Sequence, residues 1–262
     1  MKTLVSMYHD VYQNSPNESG FAGVGADRYK YKLNDFKNHI DAIANSVASQ
    51  PMLITQIDNH RDKTPYMITF DDGGESFFSL INPIMEEFKW KAHFFVATNY
   101  IGNNGFLTKE QIKELDKQGH IIGAHSASHP PNISNLSYTE IKSEWQKSID
   151  ELSEILGKPI TVASVPGGYY SLNVAKAAYE CGIKYLMTSE PIRKVNHYKD
   201  MLIIGRYTMF NYKSEEFASA IARNQSNILI KEIMYWNTKK IAKKILGSTY
   251  IRLKDFILTK NS

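Results

Sequence analysis

The stretch YMITFDDGG, residues 66–74, decides how this chain is read. Tyr66–Phe70 is a short apolar run of the kind a fully buried strand shows, and it runs without a break into Asp71, Asp72, Gly73 and Gly74. Two adjacent carboxylates at the C-terminal mouth of such a strand repel each other unless something positive stands between or beside them. A divalent metal is the natural partner, since one Asp can bind it while the other stays free as a base. Taken alone, Asp-Asp-Gly more often marks a polar turn or a helix cap, where Asp is favoured anyway. The rest of the chain has to decide between the two.

Outward from that strand, short apolar runs alternate with helical patterns, the signature of repeated βα units. Strands are expected at 4–8, 66–70, 92–96, 121–123, 160–164, 185–188 and 203–206. Helices are expected at 32–48, 76–88, 108–118, 139–156, 172–181 and 214–223. Thr108 followed by Gln111 has capping-box spacing, and Gly119 follows the last turn of that helix. Ser137 or Thr139 can open the next helix, which Gly157 and Pro159 close, and Gly182 ends the one after it. Residues 14–27, NSPNESGFAGVGAD, are rich in Gly, Ser and Asn and read as a loop that can join a substrate rim. With 262 residues, no linker and no internal repeat, one catalytic domain is expected over 1–225, followed by a basic amphipathic tail over 226–262.

Two further segments carry chemistry. His125 and His129 in HSASHP are four residues apart, so one helical turn would aim both imidazoles at one metal, and Pro130 should end that turn. A His, His, Asp set leaves positions open for water and substrate, which suits catalytic Zn2+ better than a closed structural site. In VPGGYY, residues 165–170, Pro166, Gly167, Gly168 and Tyr169 follow a strand and expose backbone N–H groups in a tight turn, a workable oxyanion hole. By itself this third segment is weak, because many βα loops read the same way.

TFDDG (69–73), HSASHP (125–130) and VPGGYY (165–170), in that order, resemble the first three motifs of the NodB-type polysaccharide deacetylases, carbohydrate esterase family 4. The likeness runs from MYHDV (7–11) to about Phe210. It implies an α/β fold, a single-domain distorted (β/α)7-type barrel, and metal-dependent hydrolysis of the N-acyl group of an amino sugar. It also implies Asp71 as general base, Asp72, His125 and His129 as metal ligands, Thr69 and Ser126 as their hydrogen-bonding supports, and Gly168 and Tyr169 in the substrate groove. Zn2+ is the expected ion, with Co2+ or Ni2+ as alternatives. The sequence departs from the family twice. Ser164 and Val165 stand where an Arg usually orients the catalytic Asp, and IIGRYTM (203–209) offers Arg206 where the late motif usually ends its strand in a His. An Arg is a poor proton donor at neutral pH but a good carboxylate clamp, so Arg206 is expected to reach Asp71 from another strand. The acid role then falls to His9 first and His197 second.

Composition narrows the rest. Hydrophobic residues at 42% and charged residues at 22% exclude disorder and coiled-coil classes. The single cysteine, Cys181, cannot form an internal disulfide and reads as a small apolar side chain. The opening MKTLVSMYHD has too short an apolar run for a signal peptide, and a cytoplasmic protein is expected. A net charge of +4 is concentrated late, with Lys231, Lys239, Lys240, Lys243, Lys244, Arg252, Lys254 and Lys260 among apolar residues such as Ile233 and Trp236. Such a tail can rest on an anionic membrane or pack its apolar side on the domain, whereas no nucleic-acid motif accompanies it. A precursor substrate, nucleotide- or lipid-linked, fits a cytoplasmic enzyme of surface-polysaccharide synthesis. An inactive carbohydrate-binding protein and a metal amidase on a non-sugar amide are the alternatives.

Overall fold

The structure is a computed structural model that describes residues 1–47, 50–59 and 64–240. Parallel strands form its frame: β1 (Leu4–Tyr8), β2 (Tyr66–Phe70), β3 (His93–Val96), β4 (Ile121–Ala124), β5 (Val162–Ser164), β6 (Tyr185–Met187), β7 (Met201–Ile204) and β8 (Tyr207–Thr208). Each strand from β1 to β7 lies beside the next, and β8 returns to pair with β1, Ser6 facing Tyr207. Only Gly205 and Arg206 separate β7 from β8. One stretch of chain therefore pairs with both ends of the curled sheet and closes it, which gives the distorted seven-strand barrel expected from the sequence. The last strand starts at Met201, earlier than the expected 203–206, and Arg206 lies in the break instead of the strand. A short antiparallel strand, Asn196–Tyr198, and a pairing of Val11–Tyr12 with Tyr31–Lys32 were too brief for any sequence pattern to reveal.

Helices α1 (Leu33–Ala44), α2 (Asn82–Glu87), α3 (Lys109–Lys117), α4 (Tyr138–Leu156), α5 (Leu172–Glu180) and α6 (Glu215–Ala222) connect or flank these strands. Thr108 and Gln111 form the expected capping box, Ser137 and Glu140 form another, and Gly157 closes α4 with φ of 66°. The helix expected at 76–88 instead opens with a π-helical turn, Phe77–Ile81. Pro83 has no N–H to donate to the turn before it, and the Asn82 N–H bonds back to Phe77 O.

Alternation along the strands sorts the side chains. Val5, Met67, Phe95, Val162, Met187 and Ile204 fill the barrel interior in one cluster, while Leu4, Ile68, Phe94, Ile122, Leu186 and Ile203 pack outward in the cluster that includes the helices. The inward register continues to Thr69 and Asp71 beyond Met67, to Ser164 beyond Val162, and to Arg206 beyond Ile204. The barrel thus changes from apolar to polar towards the C-terminal ends of its strands.

The tail is helical over 226–240 and packs back on the barrel, with Leu229 buried and Lys213 bound to Glu232 at 2.6 Å. Its remainder, 241–262, with Lys243, Lys244, Arg252, Lys254 and Lys260, lies outside the described residues, as does residue 48 of the helix expected at 32–48. No described helix is long and apolar enough to cross a membrane.

Candidate active site

Register brings the functional segments to one rim. Tyr8 pairs with Phe70, Phe70 with Phe94, Val96 with Ala124, and Ala124 with Ala163. His9, Asp71, His125 and Ser164 therefore leave or end neighbouring strands at nearly one level. After Asp71 the chain turns sharply: Asp72 has φ of 91°, a left-handed value that is uncommon for a residue with a Cβ. Gly73 follows at φ 88°, and Gly74 passes Asp10 so closely that a Cβ there would lie 1.8 Å from Asp10 Oδ1. The two glycines answer to backbone geometry, one to the turn and one to the close approach.

HSASHP is not the helical turn expected from its spacing. Ser126 at φ 61° and His129 at φ 49° fold it back on itself. Glu144 on α4 holds the fold, with Oε2 accepting the N–H groups of Ala127 at 3.1 Å and Ser128 at 2.8 Å, and Oε1 accepting the Ser128 hydroxyl at 2.8 Å. Ser126 Oγ accepts the His129 N–H at 3.2 Å. Both imidazoles end beside Asp72: Oδ1 lies 3.3 Å from His125 Nε2 and 3.4 Å from His129 Nε2. The three ligand atoms are within 4.8 Å of one another. His125 Nδ1 is 2.9 Å from Ser164 O, a carbonyl that can only accept, so this nitrogen carries a proton and Nε2 is the one turned towards Asp72 and available to a metal. Two imidazole nitrogens and one carboxylate oxygen, facing one another across a space too wide for hydrogen bonds to fill well, suit a divalent transition metal.

Electrostatics point the same way. Burial works against charge on Asp72, yet hydrogen bonding from His125 and the nearby His9 and His129 hold its pKa well below the usual carboxylate range. For His125, burial favours the neutral ring, but Asp71 and Asp72 outweigh it and raise the pKa. A cation among these groups would replace that proton. Burial dominates at His129 and lowers its pKa, leaving the ring free to bind.

Asp71 sits in a different setting. Arg206 is fully buried, and all five of its N–H donors are used. Nη1 reaches Asp71 Oδ1 at 2.7 Å and Thr69 Oγ1 at 3.1 Å, Nη2 reaches Asp71 Oδ2 and Ser164 Oγ at 2.7 Å each, and Nε reaches Thr188 O at 3.1 Å. Ser164 Oγ also donates to Asp71 Oδ2 at 3.0 Å. Burial would raise the Asp71 pKa, but Arg206 and His125 bring it below the ordinary value. The structure thus places Arg206, from the break between β7 and β8, in a two-pronged grip on Asp71.

The segments that carry this arrangement resemble a known family. The profile described as polysaccharide deacetylase matches residues 58–186. Over that stretch the chain is similar to the polysaccharide deacetylase family. It is 30% identical over 135 residues to the Bacillus subtilis protein YxkH, covering 50% of this chain and 48% of that one. It is 28% identical over 133 residues to the peptidoglycan-N-acetylmuramic acid deacetylase PdaA of Bacillus subtilis, again covering 50% and 48%. The chain spans about half the length of these curated relatives. Among solved structures it shares its fold with the Streptococcus pyogenes deacetylase PplD in complex with acetate, with a TM-score of 0.68 at 22% identity, covering 82% of this chain and 96% of that one.

Around the family's motifs a cavity of about 510 Å³ opens. His9 lines it beside Asp72, His125 and His129, its ring 4.4 Å from that of Tyr29, and its buried Nδ1 has no hydrogen-bond partner among the described residues. Burial lowers the His9 pKa, with Asp72 and Asp71 opposing. His197 is exposed on the Asn196–Tyr198 strand and does not line the cavity, so it drops out as an acid. Gly167, Gly168 and Tyr169 do line it, but Pro166 is buried behind them and is not part of the wall. The Tyr169 N–H meets Pro166 O in a long contact of 3.4 Å.

Sequence reasoning missed three parts of the site. Glu144 gave no signal, being one acidic residue on a long polar helix. Asp10 stands in MYHDV and accepts the hydroxyls of Ser19 at 2.6 Å and Ser76 at 2.8 Å, clipping the 14–27 loop so that Phe21 meets the His129 ring at 4.9 Å. Trp236, Lys239 and Lys240 of the tail helix form part of the cavity wall. Only the basic spacing of that helix was visible in advance.

Proposed function

We propose that this chain is a metal-dependent deacylase that removes the N-acetyl or N-formyl group of an amino sugar, acting on a nucleotide- or lipid-linked precursor of surface-polysaccharide synthesis. The observation that carries the reading is the meeting of Asp72 with His125 and His129 beside an Asp71 gripped by Arg206. Similarity to the polysaccharide deacetylases favours a sugar amide as the bond that is cut. A divalent cation held by Asp72, His125 and His129, Zn2+ before Co2+ or Ni2+, would polarise the acyl carbonyl and lower the pKa of a water beside it.

The chain's own residues account for the proton traffic. Arg206 and Ser164 use three of the roughly four lone-pair positions of Asp71, leaving one on Oδ1. Its depressed pKa keeps Asp71 ionised at neutral pH, so it accepts a proton as water adds to the acyl carbon. Arg206 is the positioning residue that sets the direction of that lone pair. Gly168 and Tyr169 offer open backbone where the oxyanion develops, and the weak contact of the Tyr169 N–H is readily exchanged for it. When the C–N bond breaks, the amine needs a proton. His9 passes on the one removed by Asp71, which leaves an amino sugar and acetate or formate.

The test is release of acetate or formate from N-acetyl- and N-formyl-glucosamine derivatives, with metal supplied, by the wild type and by Asp71→Asn. The wild type should turn over and the variant should fall by roughly 10²–10⁴-fold while still binding metal. If both are silent and sugar still binds, the chain is a binding protein and the deacylase reading fails.

A further inference from the structure

The outer wall of the cavity holds a charge pattern that amide hydrolysis does not use. Three carboxylates line the cavity, and each is matched: Asp71 by Arg206, Asp72 by the two histidines, and Glu190 by Lys240 at 3.0 Å. Two further cations line it, Arg28 and Lys239, and neither has a carboxylate partner among the described residues. They come from distant parts of the chain yet gather at one ring. Arg28 Cζ lies 5.5 Å and Lys239 Nζ 5.8 Å from the centre of Phe210. Ring attraction offsets part of the cost of bringing two like charges together, though only about 0.5–1 kcal/mol for an exposed pair. Trp236, one helical turn before Lys240, adds an indole Nε1–H that has no partner among the described residues.

The distance to the chemistry is short. His9 contacts Tyr29 at 4.4 Å between ring centres, and Tyr29 contacts Phe210 at 4.9 Å. Two aromatic steps thus separate the reacting end of the cavity from the paired cations, a span that one sugar ring and a substituent can bridge. Aromatic rings along the way give that sugar an apolar face to lie on.

We propose that Arg28 and Lys239, with the Trp236 indole N–H, form an anion site for a phosphate or diphosphate ester on the same amino sugar whose acyl group is cut. This rests on the deacylase reading and assigns named residues to the phosphate of its substrate. Two unmatched positive charges complement a dianion better than the single charge of a carboxylate, and an Arg presents a planar fork to phosphate oxygens. The tail helix then acts as a specificity element, because it supplies two of the three groups. A nucleotide-linked and a lipid-linked sugar share this chemistry.

The experiment measures binding by calorimetry and turnover by acyl release, on the full chain with metal. The probes are N-acetylglucosamine, its 1-phosphate, UDP-N-acetylglucosamine and a short-chain prenyl diphosphate N-acetylglucosamine. The phosphorylated probes should bind about tenfold tighter or more than the neutral sugar, with an advantage that shrinks as salt rises. In Arg28→Gln/Lys239→Gln the ratio of phosphorylated to neutral affinity should fall towards one, and in the charge-keeping Arg28→Lys/Lys239→Arg it should survive in large part. Preference between the UDP and prenyl probes names the source of the phosphate. Equal binding of neutral and phosphorylated sugars by the wild type, or an advantage that persists in the double Gln variant, overturns the anion site. A phosphate advantage without acyl release from any probe would instead defeat the deacylase reading and leave the anion site standing.

Discussion

The two ends of the cavity are built by different rules. At the inner end, Asp71, Asp72, His125 and Arg206 leave strands or strand breaks whose register is fixed by the barrel, and each of these four side chains has a polar partner. At the outer end, Arg28, Phe210 and Lys239 come from loops and the tail helix, and their contacts are between rings and cations. The inner end is buried and exact in its hydrogen bonding, whereas the outer end is half open and loosely paired. On the proposed reading, chemistry is placed on the barrel strands and selectivity on the loops and tail helix around them.

The comparison can be broken first at its charges. Arg206→Met leaves Asp71 as an uncompensated buried carboxylate and should cost about 3–5 kcal/mol of stability in denaturant unfolding. Lys240→Gln, which removes the outer pair with Glu190, should cost below about 1 kcal/mol, since the lysine side chain is 69% exposed. Equal losses would show that the inner end is no more electrostatically committed than the outer. Arg206→Lys should recover only part of the stability, because an ammonium cannot make the two-pronged grip.

Glu144 gives a finer probe. Glu144→Gln keeps the shape but removes the charge that holds the Ala127 and Ser128 N–H groups. Metal affinity should fall roughly 10–100-fold, as expected when the support behind a ligand loop is weakened. An unchanged affinity would mean that Ser126 and the backbone hold the loop unaided.

The smallest effect concerns pH and the barrel beneath the site. His93 accepts the Ile54 N–H at 2.9 Å, and His120 accepts the Ala92 N–H at 3.1 Å. Burial lowers both pKa values from 6.5 to about 4. The unfolded chain therefore takes up protons first as pH falls, so the stability these rings contribute is present above pH 6.5 and is lost as pH falls towards 4. Asp10 works in the opposite sense, since burial pushes it up to about 6, and its contribution grows as pH falls through that value. The metal-free protein should lose roughly 1–2 kcal/mol between pH 7 and 5.5, read from unfolding midpoints. A flat profile would place the two histidines in contact with water.

Legibility followed the same divide. TFDDG and HSASHP were visible because each is one short segment whose residue types state their chemistry, and Arg206 was found because a missing Arg in one loop asked for another elsewhere. The helical reading of HSASHP failed because spacing alone cannot see two left-handed residues, Ser126 and His129. Glu144, the Asp10 clip and the Trp236 wall were illegible because each acts across long separations in the chain, and no local pattern announces a partner so far away. The barrel was read strand by strand, yet its closure through Gly205 and Arg206 needed the two register pairings that only coordinates supply.

The central claim is that Asp72, His125 and His129 hold one metal ion. Titration of the metal-free wild type and of Asp72→Ala with Zn2+, followed by calorimetry and metal analysis after dialysis, tests it directly. The wild type should retain one equivalent that Asp72→Ala cannot hold, and the variant should lose turnover by roughly 10³-fold or more. Stoichiometric binding by the wild type that persists undiminished in Asp72→Ala, or no binding by either, would contradict the claim.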